Sequence, residues 1–380
     1  MGIVLKARLG RGRTVETYQA KLNAEGRSLE VALKKPRPEL ASNEEFKRAF
    51  VDWGKRHAEV EAPELVAVLE AGSSDADGSY VIQELVKGAS LERVLRELRK
   101  RHRTFKVELA LEIARRAAKA LEALERSPHG PHGGVDPSDI LISFIGDVKV
   151  GDAGLHRLDW IAGPEVKLPT TYLAPEAQAD PTKSNAAADT YSLGLILLEM
   201  LIGQAIWTHE NLTVEDATLA LRDFSHLRGA RPELTEGLVG LLERAVATDP
   251  AKRYENAGAF RENVSRLIAE NIGPTDGRAV GDFVSALLPR GDDEDAPTII
   301  AGQSSPESDA SRERVQLHTV MVDSELEIKN LKARRAADPA NRARLPSKAK
   351  TPAADTKVVR NVLIAFAVVA VIALALILRS

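Results

Sequence analysis

Strand-like patterns occupy only the first third of this chain, and helical patterns follow them. Residues 29–34 and 80–86 have the alternation and composition of half-buried strands. Residues 107–124, 190–203 and 235–247 carry apolar residues at helical spacing. Strands that precede helices, instead of alternating with them, predict an α+β fold with a small β-rich part and a larger helical part.

The composition changes near Gly273. From there to Lys357 the apolar density falls, and Pro, Ser, Asp, Lys and Arg become common. Such a stretch cannot bury enough apolar surface to offset the entropy lost on ordering. We therefore expect a folded domain over residues 1–271 and a disordered linker over residues 272–357, interrupted by one short charged helix at 324–337.

An unbroken apolar run, Val362–Leu378, follows the linker. A buried core helix can have the same composition, but only a polar linker and two further residues flank this run. Its 17 residues span roughly 25 Å as a helix, close to the ~30 Å hydrocarbon thickness of a bilayer. The long Lys and Arg side chains at the ends of the run can extend to the lipid–water interface and so compensate for its slightly short length. The sequence predicts a transmembrane helix over residues 358–379 that anchors the chain in a lipid bilayer.

The distribution of basic residues predicts the orientation of this anchor. Six basic residues precede the run and one, Arg379, follows it: Arg342, Arg344, Lys348, Lys350, Lys357 and Arg360. By the positive-inside rule the folded domain lies in the cytoplasm. The N-terminus has no basic lead and only a short apolar run, so no signal peptide is predicted.

Bulk composition excludes several classes of function. The chain has no cysteine, which rules out disulfides, thiol catalysis and cysteine-ligated zinc. The net charge of −3, without an extended basic face, does not favour a nucleic-acid partner. With 44% hydrophobic and 28% charged residues, most of the chain can form a globular core.

Six short motifs occur in a set order between residue 5 and residue 270. They are Val31–Lys34, a loop with His132, Pro137, Ile140 and Leu141, then Asp152-Ala153-Gly154, Ala174-Pro175-Glu176, Asp189–Gly194, and Asp249-Pro250 with Arg253. Their order and spacing resemble the protein kinase family, specifically bacterial serine/threonine kinases. The resemblance implies a bilobal protein kinase-like fold with a small β-rich N-lobe and a large helical C-lobe. It also implies that Arg253 pairs with Glu176 and that His132 is a packing residue.

The resemblance implies a set of ligand-binding residues for ATP and Mg²⁺. Gly10 and Gly12 would let the backbone approach the phosphates, and Lys34 would face the α- and β-phosphates. The hinge from Glu84 to Val86 would bind adenine through backbone groups. The metal ligands would be Asp152 and Asp139, because carboxylate oxygens suit Mg²⁺. Simpler alternatives remain open for two of these residues: Lys34 as an exposed strand lysine, and Asp152 as a residue that only shapes its loop.

No catalytic residue of the family is intact in this sequence. Gly134 stands where the family has the aspartate that accepts the substrate hydroxyl proton. Asp136 replaces the lysine that faces the γ-phosphate, so a cation becomes an anion. Trp53 aligns with the glutamate that pairs with the strand lysine, and Val15 aligns with the third glycine of the phosphate loop.

Two functions fit these departures. The first is a membrane-anchored pseudokinase that acts as a nucleotide-binding or protein-binding module for cytoplasmic signalling proteins at a bacterial inner membrane. The second is a divergent active serine/threonine kinase, in which Asp136 substitutes as the base and positioning supplies much of the rate.

The linker offers a third hypothesis. Thr298 follows an acidic run, and Thr319 is followed by apolar residues. These threonines resemble docking sites for phosphothreonine-binding domains. The simpler alternative is that they are ordinary linker residues.

Overall fold

A computed structural model describes residues 2–24, 27–74, 78–163, 171–180, 183–203, 231, 233–273 and 275–288. The chain divides into two units, 1–306 and 307–380, and the described residues all belong to the first. The predicted anchor at 358–379 and the tail threonines Thr298 and Thr319 lie outside the described residues. Within the described ranges, no helix is long and apolar enough to cross a bilayer.

The first part of the chain forms a five-stranded antiparallel sheet in the order β1-β2-β3-β5-β4. Its strands are β1 (Gly2–Arg11), β2 (Val15–Ala24), β3 (Arg27–Pro36), β4 (Val68–Ser74) and β5 (Gly78–Glu84). The predicted strands at 29–34 and 80–86 are confirmed as parts of β3 and β5, although β5 ends two residues early, at Glu84.

The two faces of β3 have different roles because side chains alternate along a strand. Val31 and Leu33 pack with Ala20 and Ile82 on one face. Ala32 lies on the opposite face, in a cluster that includes Leu9 and Val66. Lys34 follows at the same alternation as Ala32, so the strand register directs it to the cleft side of the sheet.

Helix α1 (Glu44–His57) packs against this sheet. Asn43 caps its N-terminus by accepting a hydrogen bond from the Phe46 amide at 3.0 Å. Phe46, Phe50 and Trp53 recur at helical spacing and are buried in a cluster with residues of β2 and β5.

The remaining elements build a mainly helical lobe. A small sheet combines β6 (Gly88–Ser90), β7 (Ile140–Ser143) and β8 (Val148–Val150). The helices are α2 (Leu91–Lys100), α3 (Val107–Glu125), α4 (Arg157–Ala162), α5 (Pro175–Ala179), α6 (Ala186–Ile202), α7 (Glu236–Ala245), α8 (Ala257–Leu267) and α9 (Gly277–Leu287). The helices predicted at 107–124 and 235–247 are confirmed as α3 and α7 within two residues at each end, and the helix predicted at 190–203 is confirmed as α6, which begins four residues earlier, at Ala186.

Helix α6 is the centre of the helical lobe. Every residue from Ala188 to Leu201 is buried, and α3, α7 and α8 pack around it. Gly203 ends the helix in the left-handed conformation, with φ 70° and its amide bonded to the Glu199 carbonyl. The core of the molecule is therefore in this lobe.

The folded part extends beyond the predicted boundary at residue 271. Helix α9 lies where the sequence predicted the start of a disordered linker, and its Val280, Val284 and Leu287 are buried in the core. The ring centroid of Phe283 lies 5.1 Å from that of Phe105. Val280, Phe283, Val284 and Leu287 recur at helical spacing within this one short helix, but averaged over residues 273–357 they did not raise the apolar density enough to distinguish it from a linker.

Candidate functional site

Lys34 is fully buried and paired with Asp152. The Lys34 side chain is 0% exposed, and its Nζ lies 2.8 Å from Asp152 Oδ2. It also donates a hydrogen bond to Thr17 Oγ1 at 3.2 Å. The alternative that Lys34 is an exposed strand lysine is wrong, because β3 directs it into the interior.

The loop that carries Asp152 is fixed by backbone bonds from the helical lobe. Gly154 donates its amide hydrogen to the His132 carbonyl at 3.0 Å, and His132 Nε2 lies 3.0 Å from the Gly151 carbonyl. Burial lowers the pKa of His132 to about 4, so the ring is neutral at pH 7. These contacts agree with a packing role for His132.

Asp152 carries an oxygen without a partner. Its Oδ2 accepts from Lys34, whereas its buried Oδ1 has no hydrogen-bond partner. Burial raises the pKa of Asp152, and the Lys34 charge opposes that rise. A buried carboxylate oxygen without a hydrogen-bond partner is costly, and here it leaves one acceptor available to a ligand.

The loop from His132 to Asp139 lines one side of the cleft. Gly134 lines the same cavity as Asp136, Asp139 and Asp152. Because it is a glycine, no side chain projects into the cavity from this position. A Cβ atom at Gly134 would lie 2.9 Å from Leu173 Cδ2, which is the end of a flexible side chain. The position therefore has room for a larger residue after a small rotation of Leu173.

The two aspartates of this loop are already engaged in local hydrogen bonds. Asp136 Oδ1 accepts from the Ser138 amide at 2.6 Å and from the Ser138 hydroxyl at 2.5 Å. Asp139 Oδ2 accepts from the Asp136 amide at 3.0 Å. Burial raises the pKa of Asp139 well above its usual value, and the nearby Asp136 and Asp152 carboxylates add to the rise.

A second buried ion pair lies in the helical lobe. Arg253 binds Glu176 with two bonds, Nη1–Oε1 at 2.7 Å and Nη2–Oε2 at 2.9 Å. The same guanidinium donates to the carbonyls of Ala247 and Thr248, and Arg253 is 3% exposed. The pairing implied by the sequence resemblance is present.

Comparison with known proteins decides the family. The model of the family described as protein tyrosine and serine/threonine kinase matches residues 3–262. The chain belongs to the protein kinase family.

Its relatives are bacterial kinases. The tyrosine-protein kinase MasK of Myxococcus xanthus is 29% identical over 295 residues, which cover 74% of this chain and 45% of MasK. The serine/threonine-protein kinase PknB of Mycobacterium tuberculosis is 29% identical over 248 residues, covering 63% of this chain and 38% of PknB. The chain thus spans less than half the length of these curated relatives.

Solved structures show the same fold. The kinase domain of Mycobacterium tuberculosis PknI superposes with a TM-score of 0.53 at 22% sequence identity. The match covers 70% of this chain and 95% of the PknI chain. The sheet described above is therefore the N-lobe of a kinase fold, and the helical part is its C-lobe.

Protein kinases use ATP and Mg²⁺, and the cleft of this kinase domain has residues that fit the metal. Asp152 and Asp139 line one cavity, Asp152 Oδ1 is unpaired, and burial, with a lesser contribution from the neighbouring carboxylates, raises the pKa of Asp139. In the described part of the chain, no group of three or more metal-ligating side chains is assembled. Mg²⁺ is usually held by one or two carboxylates together with substrate phosphates, so this pair fits a metal that arrives with a nucleotide.

The hinge residues lie beside an apolar surface. Val86 is buried with Leu9, Ala32 and Leu141 in one cluster. The Glu84 carboxylate accepts from the Ala67 amide at 2.9 Å and from Lys149 at 2.6 Å. The Glu84 side chain therefore fixes the hinge, and the adenine contact predicted for the hinge backbone remains a prediction.

The phosphate loop of this kinase domain is closed onto helix α4. Gly10 lies in β1, and Gly12 begins the turn to β2 by donating its amide hydrogen to the Val15 carbonyl at 2.8 Å. In that turn Arg13 Nε binds Asp159 Oδ2 at 2.7 Å, and Thr14 Oγ1 donates to Asp159 Oδ1 at 2.9 Å. We call these three residues the Asp159 clasp.

The clasp narrows the phosphate end of the cleft. The cavity there has a volume of about 50 Å³, against roughly 300–1,000 Å³ for typical ligand pockets. Asp159 is buried, and burial raises its pKa while Arg13 opposes the rise. No motif in the sequence pointed to Asp159. The only available signal was an acidic residue a few positions after Asp152-Ala153-Gly154.

Helix α1 contacts the loop that carries Asp152 through an indole and not through a carboxylate. Trp53 is 2% exposed, and its Nε1 donates to the Ala153 carbonyl at 2.8 Å. The neighbouring Asp52 is exposed to solvent. The sequence alignment of Trp53 with the family's glutamate did not predict this bond, and Trp53 lines a second cavity with Ala153 and Leu158 instead of the cavity that contains Asp139 and Asp152.

Proposed function

We propose that this chain is a membrane-anchored pseudokinase that binds a Mg²⁺-nucleotide complex and presents its kinase surface to cytoplasmic signalling proteins. The observation that carries the proposal is the cleft itself, where the Lys34–Asp152 pair is assembled while Gly134 offers no base. Phosphoryl transfer depends on positioning of the nucleotide and on stabilisation of the charge that develops during transfer. A site can keep the groups that position a nucleotide and lack the groups that stabilise this charge.

Electrostatics supports binding without turnover. The cavity is lined by Asp136, Asp139, Asp152 and Asp159, with Arg13 beside them, so acidic groups outnumber basic ones around the place of the phosphates. Mg²⁺ on Asp152 and Asp139, together with the Lys34 ammonium, would offset that charge for a bound nucleotide. Asp136, where the family has a lysine, provides no cation for the charge that develops during transfer.

Membrane anchoring and tail docking complete the proposal. They rest on the apolar run within residues 358–379, on the basic residues before it, and on Thr298 and Thr319. A phosphothreonine-binding domain is the class of partner that the tail threonines would recruit once phosphorylated.

The alternative is an active serine/threonine kinase with a divergent mechanism. Its support is the similarity to bacterial proteins named as kinases, MasK and PknB among them. In this case Asp136 would leave its bonds with Ser138 and act as the base for the substrate hydroxyl.

A pair of measurements on the full-length chain separates the two functions. Thermal-shift titration with ATP tests binding, and γ-phosphate transfer to a protein substrate tests turnover. The pseudokinase proposal expects Mg²⁺-dependent stabilisation that is lost in Lys34→Ala and Asp152→Ala, with no transfer above background.

The Gly134→Asp variant sharpens this test. It places a carboxylate at the family position of the base, and the pseudokinase proposal expects transfer to rise by roughly tenfold or more, because a positioned base contributes on the order of 10²–10⁴ in rate. Transfer by the unmodified chain that depends on Lys34 and Asp152 and is lost in Asp136→Asn would establish the active kinase instead.

A further inference from the structure

Trp53 joins helix α1 of the N-lobe to the loop that carries Asp152. The indole Nε1 donates to the Ala153 carbonyl at 2.8 Å across 100 residues of sequence. The indole lies between the rings of Phe50 and His57, with centroid distances of 6.0 and 4.7 Å. The bond is therefore made by a side chain that its neighbours hold in place.

Helix α1 supplies no carboxylate to this region of the cleft. Its acidic residues Glu44, Glu45 and Asp52 are all exposed. Lys34 is paired with Asp152 at 2.8 Å. The position of Asp152 therefore determines where the Lys34 charge is neutralised.

The backbone of Asp152 requires support from its surroundings. Asp152 has φ 59°, a left-handed conformation that is unfavourable for a residue other than glycine. Such a conformation persists when several contacts fix it. From the C-lobe, His132 bonds Gly151 and Gly154, the two residues that flank the Asp152-Ala153 pair. From the N-lobe, Trp53 bonds Ala153 itself.

We infer that Trp53 is a positioning residue for the metal site, which holds the Ala153 carbonyl so that Asp152 faces both Lys34 and the cavity. In this fold it links the position of helix α1 to the metal-binding carboxylate, through the loop backbone instead of through an ion pair with Lys34. This inference rests on the proposed nucleotide site, since it assigns Trp53 a role in Mg²⁺-dependent binding.

The decisive variant is Trp53→Phe in the full-length chain. It keeps an aromatic ring in the cluster and removes the N–H donor, so the Ala153 carbonyl loses its partner. We expect ATP affinity measured with Mg²⁺ to fall about tenfold, which corresponds to the loss of one buried hydrogen bond. We expect ATP affinity measured in EDTA to fall much less, because the hinge is not altered and no metal then joins Asp152 to the nucleotide.

Phe50→Leu is the matched control. Phe50 lies on the same face of α1 and in the same cluster as Trp53, but its side chain has no hydrogen-bonding group to offer Ala153. We expect Phe50→Leu to lower Tm by at least as much as Trp53→Phe while keeping the ratio of affinities with and without Mg²⁺. An equal loss of that ratio in both variants would mean that Trp53 acts only through packing, and would overturn the inference.

Hydrogen exchange without nucleotide distinguishes failure of this inference from failure of the proposed function. The amides of Gly154 and Leu155 are bonded to His132 and Asp152 within the loop. We expect both amides to exchange at least severalfold faster in Trp53→Phe than in Phe50→Leu. If the unmodified chain binds no ATP but this difference in exchange is present, the nucleotide proposal fails, and the role of Trp53 in positioning the Asp152 loop is supported. Equal exchange in the two variants would refute the positioning role of Trp53. An unchanged Mg²⁺ dependence of ATP affinity in Trp53→Phe would refute it as well.

Discussion

The C-lobe and the cleft each contain a buried ion pair, and the two pairs have different surroundings. Arg253 and Glu176 are joined by two bonds, and Arg253 also satisfies the carbonyls of Ala247 and Thr248. Lys34 and Asp152 are joined by one bond at 2.8 Å, and Asp152 Oδ1 has no partner. The first pair is complete within the protein, whereas the second has capacity left for a ligand.

This difference separates the contacts that stabilise a kinase fold from the contacts on which kinase chemistry would depend. The C-lobe pair connects helix α5 to the segment before α8, so its residues contribute to folding whether or not phosphate is transferred. Gly134 and Asp136 lie at the cleft, where the residue type affects charge and not the core. The fold therefore depends on one set of buried contacts and the proposed loss of turnover on another.

The largest effect is expected from breaking the C-lobe pair. Arg253→Ala leaves Glu176 and the carbonyls of Ala247 and Thr248 without the donor that Arg253 supplies, which should lower the free energy of unfolding by about 3–5 kcal/mol. Urea denaturation of the full-length chain measures this change. Arg101→Ala is the control, because its pair with Glu97 is exposed and should contribute at most about 0.5 kcal/mol. Equal losses in the two variants would show that Arg253 is not a folding contact.

A double-mutant cycle measures the cleft pair. Lys34→Met and Asp152→Asn each leave one buried partner unmatched. The double variant should therefore lose less stability than the sum of the losses in the two single variants. We expect the Lys34→Met/Asp152→Asn protein to recover about 1–3 kcal/mol relative to additivity. Denaturation of all four proteins without nucleotide gives this coupling. Strict additivity would mean that the two charges do not interact in solution.

The smallest effect is expected at the Asp159 clasp. Asp159→Asn keeps the shape of the side chain but removes the charge that binds Arg13. Opening of the phosphate loop should then be easier, and ATP affinity should rise about threefold to tenfold, because a hydrogen bond to a charged group contributes roughly 1.5–3 kcal/mol and part of it is replaced by the amide. Calorimetric titration with Mg²⁺-ATP checks this result, and an unchanged or lower affinity would show that the clasp does not restrict the cleft.

Most of the fold and part of the site could be predicted from sequence. The residues of each motif are close together along the chain, so the motifs could be matched to the kinase family by sequence, and that resemblance implied the places of Lys34 and Asp152 and the Arg253–Glu176 pairing. The same reasoning placed Gly134 and Asp136 at the cleft. It was wrong about the end of the folded domain, because α9 is stabilised by contacts with α2, α3 and β7 that local composition does not reveal.

Sequence alone thus determined that this chain is a kinase fold whose catalytic loop lacks the expected base, since those facts depend on residue identity within short motifs. Tertiary structure decided which side chains meet across the lobes. Arg13 and Asp159 are 146 residues apart, and Trp53 and Ala153 are 100 residues apart. Their contacts form only when the sheet and helix α1 pack against the segment 152–162, and no local pattern specifies the geometry of that packing.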